Sequence, residues 1–197
     1  MITAALVIDL QGDSRMSHRI RSLHTTLVLA LLFSAPSAWA ESAAVIDAKA
    51  NDAIAVFKQD VNGADVFLSQ AAGYLIFPRV LKVGVGFGAE SGEGALRIGG
   101  SSVAYYRTTA GSFGLQLGAQ AKSIVIAFMT KDALDKFRNS SGWKVGVDGS
   151  VALIDLGGGK TIDSHNIKDP VVGFIYGSKG LMFNLSLEGT KISKLDR

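Results

Sequence analysis

Val83-Gly84-Val85-Gly86-Phe87-Gly88 alternates a large apolar residue with glycine at every step. A period of two is that of a strand, because successive side chains leave opposite faces of a sheet. The texture returns in Phe113-Gly114-Leu115-Gln116-Leu117-Gly118-Ala119-Gln120, and in Leu181 to Glu188, where Leu181, Phe183, Leu185 and Leu187 alternate with Met182, Asn184, Ser186 and Glu188. Ser123 to Met129 is apolar on both faces and reads as a central strand, with shorter strands expected at 95–98, 102–107, 143–154 and 171–177. All of the 23 glycines except Gly12, Gly63 and Gly73 lie from Gly84 onward. Glycine weakens a strand interior unless the backbone must bend sharply or approach another chain closely, so strong curvature accounts for them. Packing offers another account, in which glycine leaves room for a ring or helix on that face.

Upstream of this region the period is helical. Ile46, Ala50, Ile54, Phe57 and Val61 recur at three- and four-residue steps, with Asp47, Lys49, Asp52 and Lys58 between them, which predicts an amphipathic helix from Ala43 to Val61. Asn62-Gly63 breaks it. Asp65 is placed to cap a short second helix through Ala71, with Gly73 available for a left-handed C-terminal turn. One more helix is expected at 131–138, capped by Thr130, with Leu134 and Phe137 inward. The expected fold is therefore α+β: N-terminal amphipathic helices packed on a single strongly curved antiparallel β-barrel or sandwich, with one short helix inserted.

The first forty residues read differently. From Met16, basic Arg19 and Arg21 precede the apolar run Leu27 to Phe33 and then Ala38-Trp39-Ala40, the three parts of a secretory signal. The run is shorter than the roughly 20 apolar residues of a spanning helix. Residues 1–40 are thus expected to be a signal region, cleaved after Ala40, with Met16 as a second possible start. Residues 41–197 then form one domain of a periplasmic protein, soluble or peripherally associated with membrane.

Composition excludes several chemistries. The 197 residues contain no cysteine, so there is no disulfide framework, thiolate metal site or thiol nucleophile. A formal charge of +3 from 20 basic and 17 acidic residues is not the dense basic surface of a nucleic-acid binder. Gly157-Gly158-Gly159-Lys160-Thr161 imitates the end of a phosphate-binding loop, but Ile154 stands where the motif needs its first glycine. Gly84 to Ala89 loosely matches a dinucleotide fingerprint and lies within a strand, so it reads as a curved strand. His165 beside Asp163 is the sole histidine beyond the signal region and reads as an exposed loop residue, since no Gly-x-Ser-x-Gly elbow accompanies it. Glu90 and Glu93 flank Gly92 in an expected turn, solvated, and Asp148 and Asp155 are expected at strand ends. No enzyme, cofactor or metal is expected. A membrane-spanning barrel is disfavoured by the charged C-terminal stretch Lys191 to Arg197.

What remains is a set of cations near aromatic rings: Arg79 after Phe77-Pro78, Lys82, Arg107 after Tyr105-Tyr106, and Lys179 near Tyr176. Lysine and arginine bind lipid phosphate while their stems and neighbouring rings reach the headgroup boundary. Arg79, Lys82, Arg107 and Lys179 are therefore the candidate lipid-binding residues, with an anionic phospholipid or membrane surface as partner. A structural or protein-interaction role in the envelope, without lipid, is the alternative.

The ordered segments Gly73-Tyr74-Leu75-Ile76-Phe77-Pro78-Arg79-Val80-Leu81-Lys82-Val83-Gly84, Gly92-Glu93-Gly94, Phe113 to Gln120, Ala133-Leu134-Asp135-Lys136-Phe137, Ser178-Lys179-Gly180-Leu181 and Leu187-Glu188-Gly189 resemble the SYLF domain. The resemblance spans roughly residues 45–194 and implies a non-enzymatic lipid-binding module. Relatives of this type bind membranes, and a yeast branch binds actin. For an exported member, general phospholipid affinity is what the resemblance implies.

Overall fold

In the computed structural model, the residues described are 41–154, 162, 168–179 and 187–197, with backbone alone at 85, 86, 112–118, 178 and 179. Two exceptionally long strands dominate: β1, Gly73–Ile98, and β2, Ser101–Phe128. They form one antiparallel hairpin joined by the turn Gly99-Gly100, where both residues have positive φ (58° and 84°). Glycine alone adopts such backbone freely. The far edge of β2 carries β5 (Val171–Lys179) against 121–128 and β6 (Lys191–Leu195) against 105–109. Two short strands, β3 (Trp143–Lys144) beside β6 and β4 (Ala152–Ile154) beside β5, complete a single six-stranded sheet among the described residues.

The hairpin is folded back on itself. A Cβ placed on Gly73 would touch the Arg97 carbonyl, one on Gly92 the Arg79 carbonyl, and one on Gly94 the Ile76 carbonyl. Residues 73–79 therefore lie against 92–97 in reverse order. The turning point is Gly84 to Gly88, where a Cβ on Gly84 would overlap the carbonyl of Phe87. This is the curvature that the glycine content foretells, and it makes the sheet a curled half-barrel.

Its two faces hold two cores, as period two requires. On one face, Ile76, Ala95, Val125, Ala127, Val172, Phe174 and Tyr176 are covered by helices α1 (Ala43–Asp60) and α2 (Ala64–Gln70). Phe57 of α1 contacts Phe174 and Tyr176 at ring separations of 5.3 and 4.9 Å, and the Tyr176 hydroxyl donates to the Ala53 carbonyl at 2.8 Å. On the other face, Leu75, Phe77, Leu96, Tyr106, Ile126 and Phe128 enclose Leu134 and Phe137 of α3 (Lys131–Asn139), with Trp143 edge-on to Phe137 at 5.7 Å. Fully burying each large side chain contributes about 1.5–3 kcal/mol, so these two rows decide the fold more than local propensity does.

Several local expectations change. The first and third helices lie where their periodicity puts them, and Thr130 Oγ1 accepts from the Ala133 amide at 3.2 Å. The second helix begins instead after Gly63 in a left-handed conformation with no side-chain cap, and Asp65 sits inside its first turn, paired with Lys58. Gly73 is not its terminator, because Ala71 ends it in extended backbone and Gly73 opens β1, where Arg97, Ile98 and Leu134 leave no space for a side chain. The interval 143–154 is two strands around a turn in which Asp148 accepts from the Lys144 amide at 2.7 Å. The β4–β5 pair is parallel, the one departure from antiparallel pairing among the named strands. Expected features at 157–161, 163, 165 and 181–186 lie outside the described residues, as does Asp155; Leu187 and Glu188 are not in a strand.

Candidate functional site

A tight fold in a sheet leaves no room for side chains inside the bend. Gly84 and Gly88 fill that inner side, and the alternation then turns Leu81, Val83 and Phe87 outward. All three are exposed, Phe87 to 71 %. An apolar row on the outer side of such a fold-back is a surface that water solvates poorly.

Arg79 reaches the same region through a bulge. Phe77 pairs with Ile124 and Val80 with Lys122, so Pro78 and Arg79 oppose the single residue Ser123. Proline has no amide to give the ladder and is tolerated at such a bulge. The Ser123 hydroxyl donates to the Pro78 carbonyl at 2.8 Å, satisfying the irregular backbone. Arg79 is exposed, with no carboxylate partner among the described residues.

The other candidate cations are placed differently. Lys82 lies 3.5 Å from Glu90, whose other oxygen is 2.6 Å from Lys122. Arg107 lies 2.5 Å from Glu93, which also meets Arg197 at 3.3 Å. Lys82 and Arg107 are therefore each committed to a carboxylate. Lys179 has its backbone beside Ala121 at the end of β5, and its side chain lies outside the described atoms. The rings expected beside these cations serve the cores, since Phe77, Tyr106 and Tyr176 are buried; Tyr105 is tied to Asp47 by a 2.7 Å hydrogen bond. Burial raises the Tyr106 and Tyr176 hydroxyls above the ordinary tyrosine value.

Glu90 and Glu93 are not solvated turn residues. Both stand within β1, because the chain continues through Gly92 and Gly94 instead of turning there, and each carboxylate joins residues distant in sequence. The outward apolar row escaped the sequence reading. Its signal was present, since glycine at every inner position of a bend leaves the large residues only the outer side.

Glu93 gives a pH prediction. Burial alone raises its carboxyl, but hydrogen bonds from Arg107 and Arg197 and their charges outweigh that and hold it below its ordinary value. A depressed carboxyl stabilises the fold above the unfolded pKa and loses that contribution as pH falls through the folded one. Urea midpoints should thus decline on the acid side of the carboxylate range, and Glu93→Gln should flatten that decline while leaving the slope elsewhere unchanged. An identical acid limb in the variant would contradict this.

Residues 109–197 match the family described as Ysc84, Las17-binding protein actin regulator. This segment is similar to the Ysc84 (SYLF) family. The match covers part of β2, α3 and the rest of the sheet, while the first two helices and β1 precede it. No curated protein compared with the chain is significantly similar to it. The Ysc84 family is associated with lipid and actin binding. Among the described residues there is no group of three or more histidine, aspartate or glutamate side chains placed to hold a metal, and no helix is long and apolar enough to cross a membrane.

Proposed function

We propose that this Ysc84-type chain is an exported, non-enzymatic phospholipid-binding protein that docks on an anionic membrane surface through the apex of the fold-back at Gly84 to Gly88 in the middle of β1. The carrying observation is the outward row Leu81, Val83 and Phe87 beside Arg79, which has no carboxylate partner among the described residues. Apolar side chains enter the headgroup boundary while a nearby cation meets lipid phosphate, each adding its own attraction. Export is supported by the signal pattern ending at Ala40, and the periplasm is the proposed compartment. Cleavage there would also make the Glu41 nitrogen, 3.3 Å from Glu93 Oε2, an ammonium group in a cluster already built around that carboxylate.

Co-sedimentation with phosphatidylglycerol and phosphatidylcholine vesicles tests the reading. Binding should favour the anionic vesicles and weaken with salt. Phe87→Asp should reduce partitioning by at least about tenfold, since burying a phenylalanine side chain contributes roughly 2 kcal/mol, and Arg79→Ala by about fivefold, near 1 kcal/mol. Failure of the unaltered protein to pellet with anionic vesicles at low salt removes the proposal. A protein-binding role in the envelope is the second reading, favoured by the family's description as a Las17-binding actin regulator. The same apolar apex suits a protein partner, and lipid-free native protein with no vesicle affinity would select it.

A further inference from the structure

Arg97 lies near the C-terminal end of β1, beside the Gly99-Gly100 turn and away from the fold-back in mid-strand, on the face covered by α1 and α2, and is only 9 % exposed. Its Nη2 donates a long 3.4 Å hydrogen bond to the Asp47 carbonyl, and its Nε has no partner among the described residues. The Asp47 carboxylate is already engaged by the hydroxyls of Ser102 and Tyr105, at 2.6 and 2.7 Å. Among the described residues no carboxylate forms an ion pair with the guanidinium. A buried arginine left in that state is costly, because desolvation of the charge is not offset by a counter-ion.

Arg97 lines a cleft of about 210 Å³ bounded by Lys58, Asp65, Ser69, Tyr74 and the Gly99-Gly100 turn. One water occupies about 30 Å³ of liquid, so the space exceeds what a single bridging water needs. Lys58 faces the cleft as a second cation. Its partner Asp65 is largely exposed, so that ion pair is weakly held and open to competition. Side chains at 99 and 100 are absent, which leaves one wall of the cleft to backbone alone.

We propose that this cleft is an anion site that takes a phosphate group, with Arg97 as its buried contact and Lys58 at its rim. A guanidinium with a vacant Nε–H and its Nη groups presents the planar fork that suits two phosphate oxygens. The phosphate belongs to a lipid headgroup or to a free phosphate compound, and both share this chemistry. The site goes beyond the membrane-docking reading, since the cleft sits beside the Gly99-Gly100 turn and the apex at the fold-back in the middle of β1, so that a variant of one leaves the other intact.

The test follows the arginine Nε–Hε resonances of the purified exported protein during titration with inorganic phosphate, against sodium chloride at matched ionic strength. The Arg97 signal, identified by its absence in Arg97→Lys, should move saturably with phosphate and not with chloride. Lys58→Gln, an exposed change that should not threaten folding, should raise the half-saturating concentration at least about threefold. Phe87→Asp should leave the titration unchanged, which separates failure of this site from failure of the apex. Parallel titrations with glycerol phosphate and with phosphatidylglycerol vesicles identify the source: a response to vesicles places the phosphate on a lipid, and a response to the soluble compounds alone places it in solution. If Arg97→Lys does not fold, the Lys58→Gln comparison on the strongest-shifting resonance carries the test. No saturable shift up to tens of millimolar phosphate, or equal shifts with chloride, would overturn the proposal.

Discussion

Glu90→Gln should destabilise the chain by about 3 kcal/mol, the usual scale for removing one partner of a buried ion pair. Lys122 is 6 % exposed and its ammonium lies 2.6 Å from Glu90, itself 13 % exposed. The amide of glutamine still accepts a hydrogen bond but no longer balances the charge, so Lys122 remains a buried cation. Lys82, 3.5 Å from the same carboxylate, worsens the imbalance by adding a second positive group to the mouth of the fold. In a domain of this size the loss should appear as a drop in Tm of roughly 10 °C and a lower urea midpoint at unchanged slope. The double variant Glu90→Gln/Lys122→Met should regain at least about half of the loss, because an apolar side chain of similar volume needs no counter-charge. A loss below about 1 kcal/mol for Glu90→Gln alone would mean that water reaches this pair and that the bend is looser than these contacts require.

That pair also shows where sequence reading stops. The helices and the alternating strands follow from spacing along the chain: Ile46, Ala50, Ile54 and Phe57 are helical neighbours, and Val83, Val85 and Phe87 alternate along one strand, before any tertiary contact exists. Curvature was legible for the same reason, since glycine repeated on one side of a strand has few other uses. Glu90 and Glu93 carry no such local sign. Whether they are solvated or paired depends on Lys122, which stands opposite Val80 and reaches Glu90 only because the hairpin folds back on itself, and on Arg107, which stands directly opposite Glu93 in β2. Gly92 points the wrong way, as it reads as turn punctuation when no partner strand is visible. Arg97 is the extreme case, because its interest lies in a missing partner, and sequence spacing says nothing about which polar atoms remain unpaired.

Gly94→Ala should cost about 3 kcal/mol, the upper end for overpacking. Its Cβ would overlap the Ile76 carbonyl oxygen and stand 2.6 Å from Cδ1 of the Phe77 ring. Neither neighbour has room to retreat. Ile76 is held on its other side by pairing with Val125, Gly94 is itself paired with Tyr106, and Phe77 is fully buried. Relief would require the two ends of β1 to separate, opening the half-barrel and loosening both cores at once. Gly111 supplies the control, since it sits in β2 without positive φ and no atom lies within 4 Å of where its methyl would stand. Gly111→Ala should be neutral or stabilising by about 0.5 kcal/mol, because alanine restricts the unfolded chain more than glycine does. Chemical denaturation of the two variants beside the unaltered chain decides the matter. Equal, small effects at both positions would mean that glycine serves turn flexibility in this sheet, whereas a large loss confined to Gly94 shows that close backbone contact is what the residue secures.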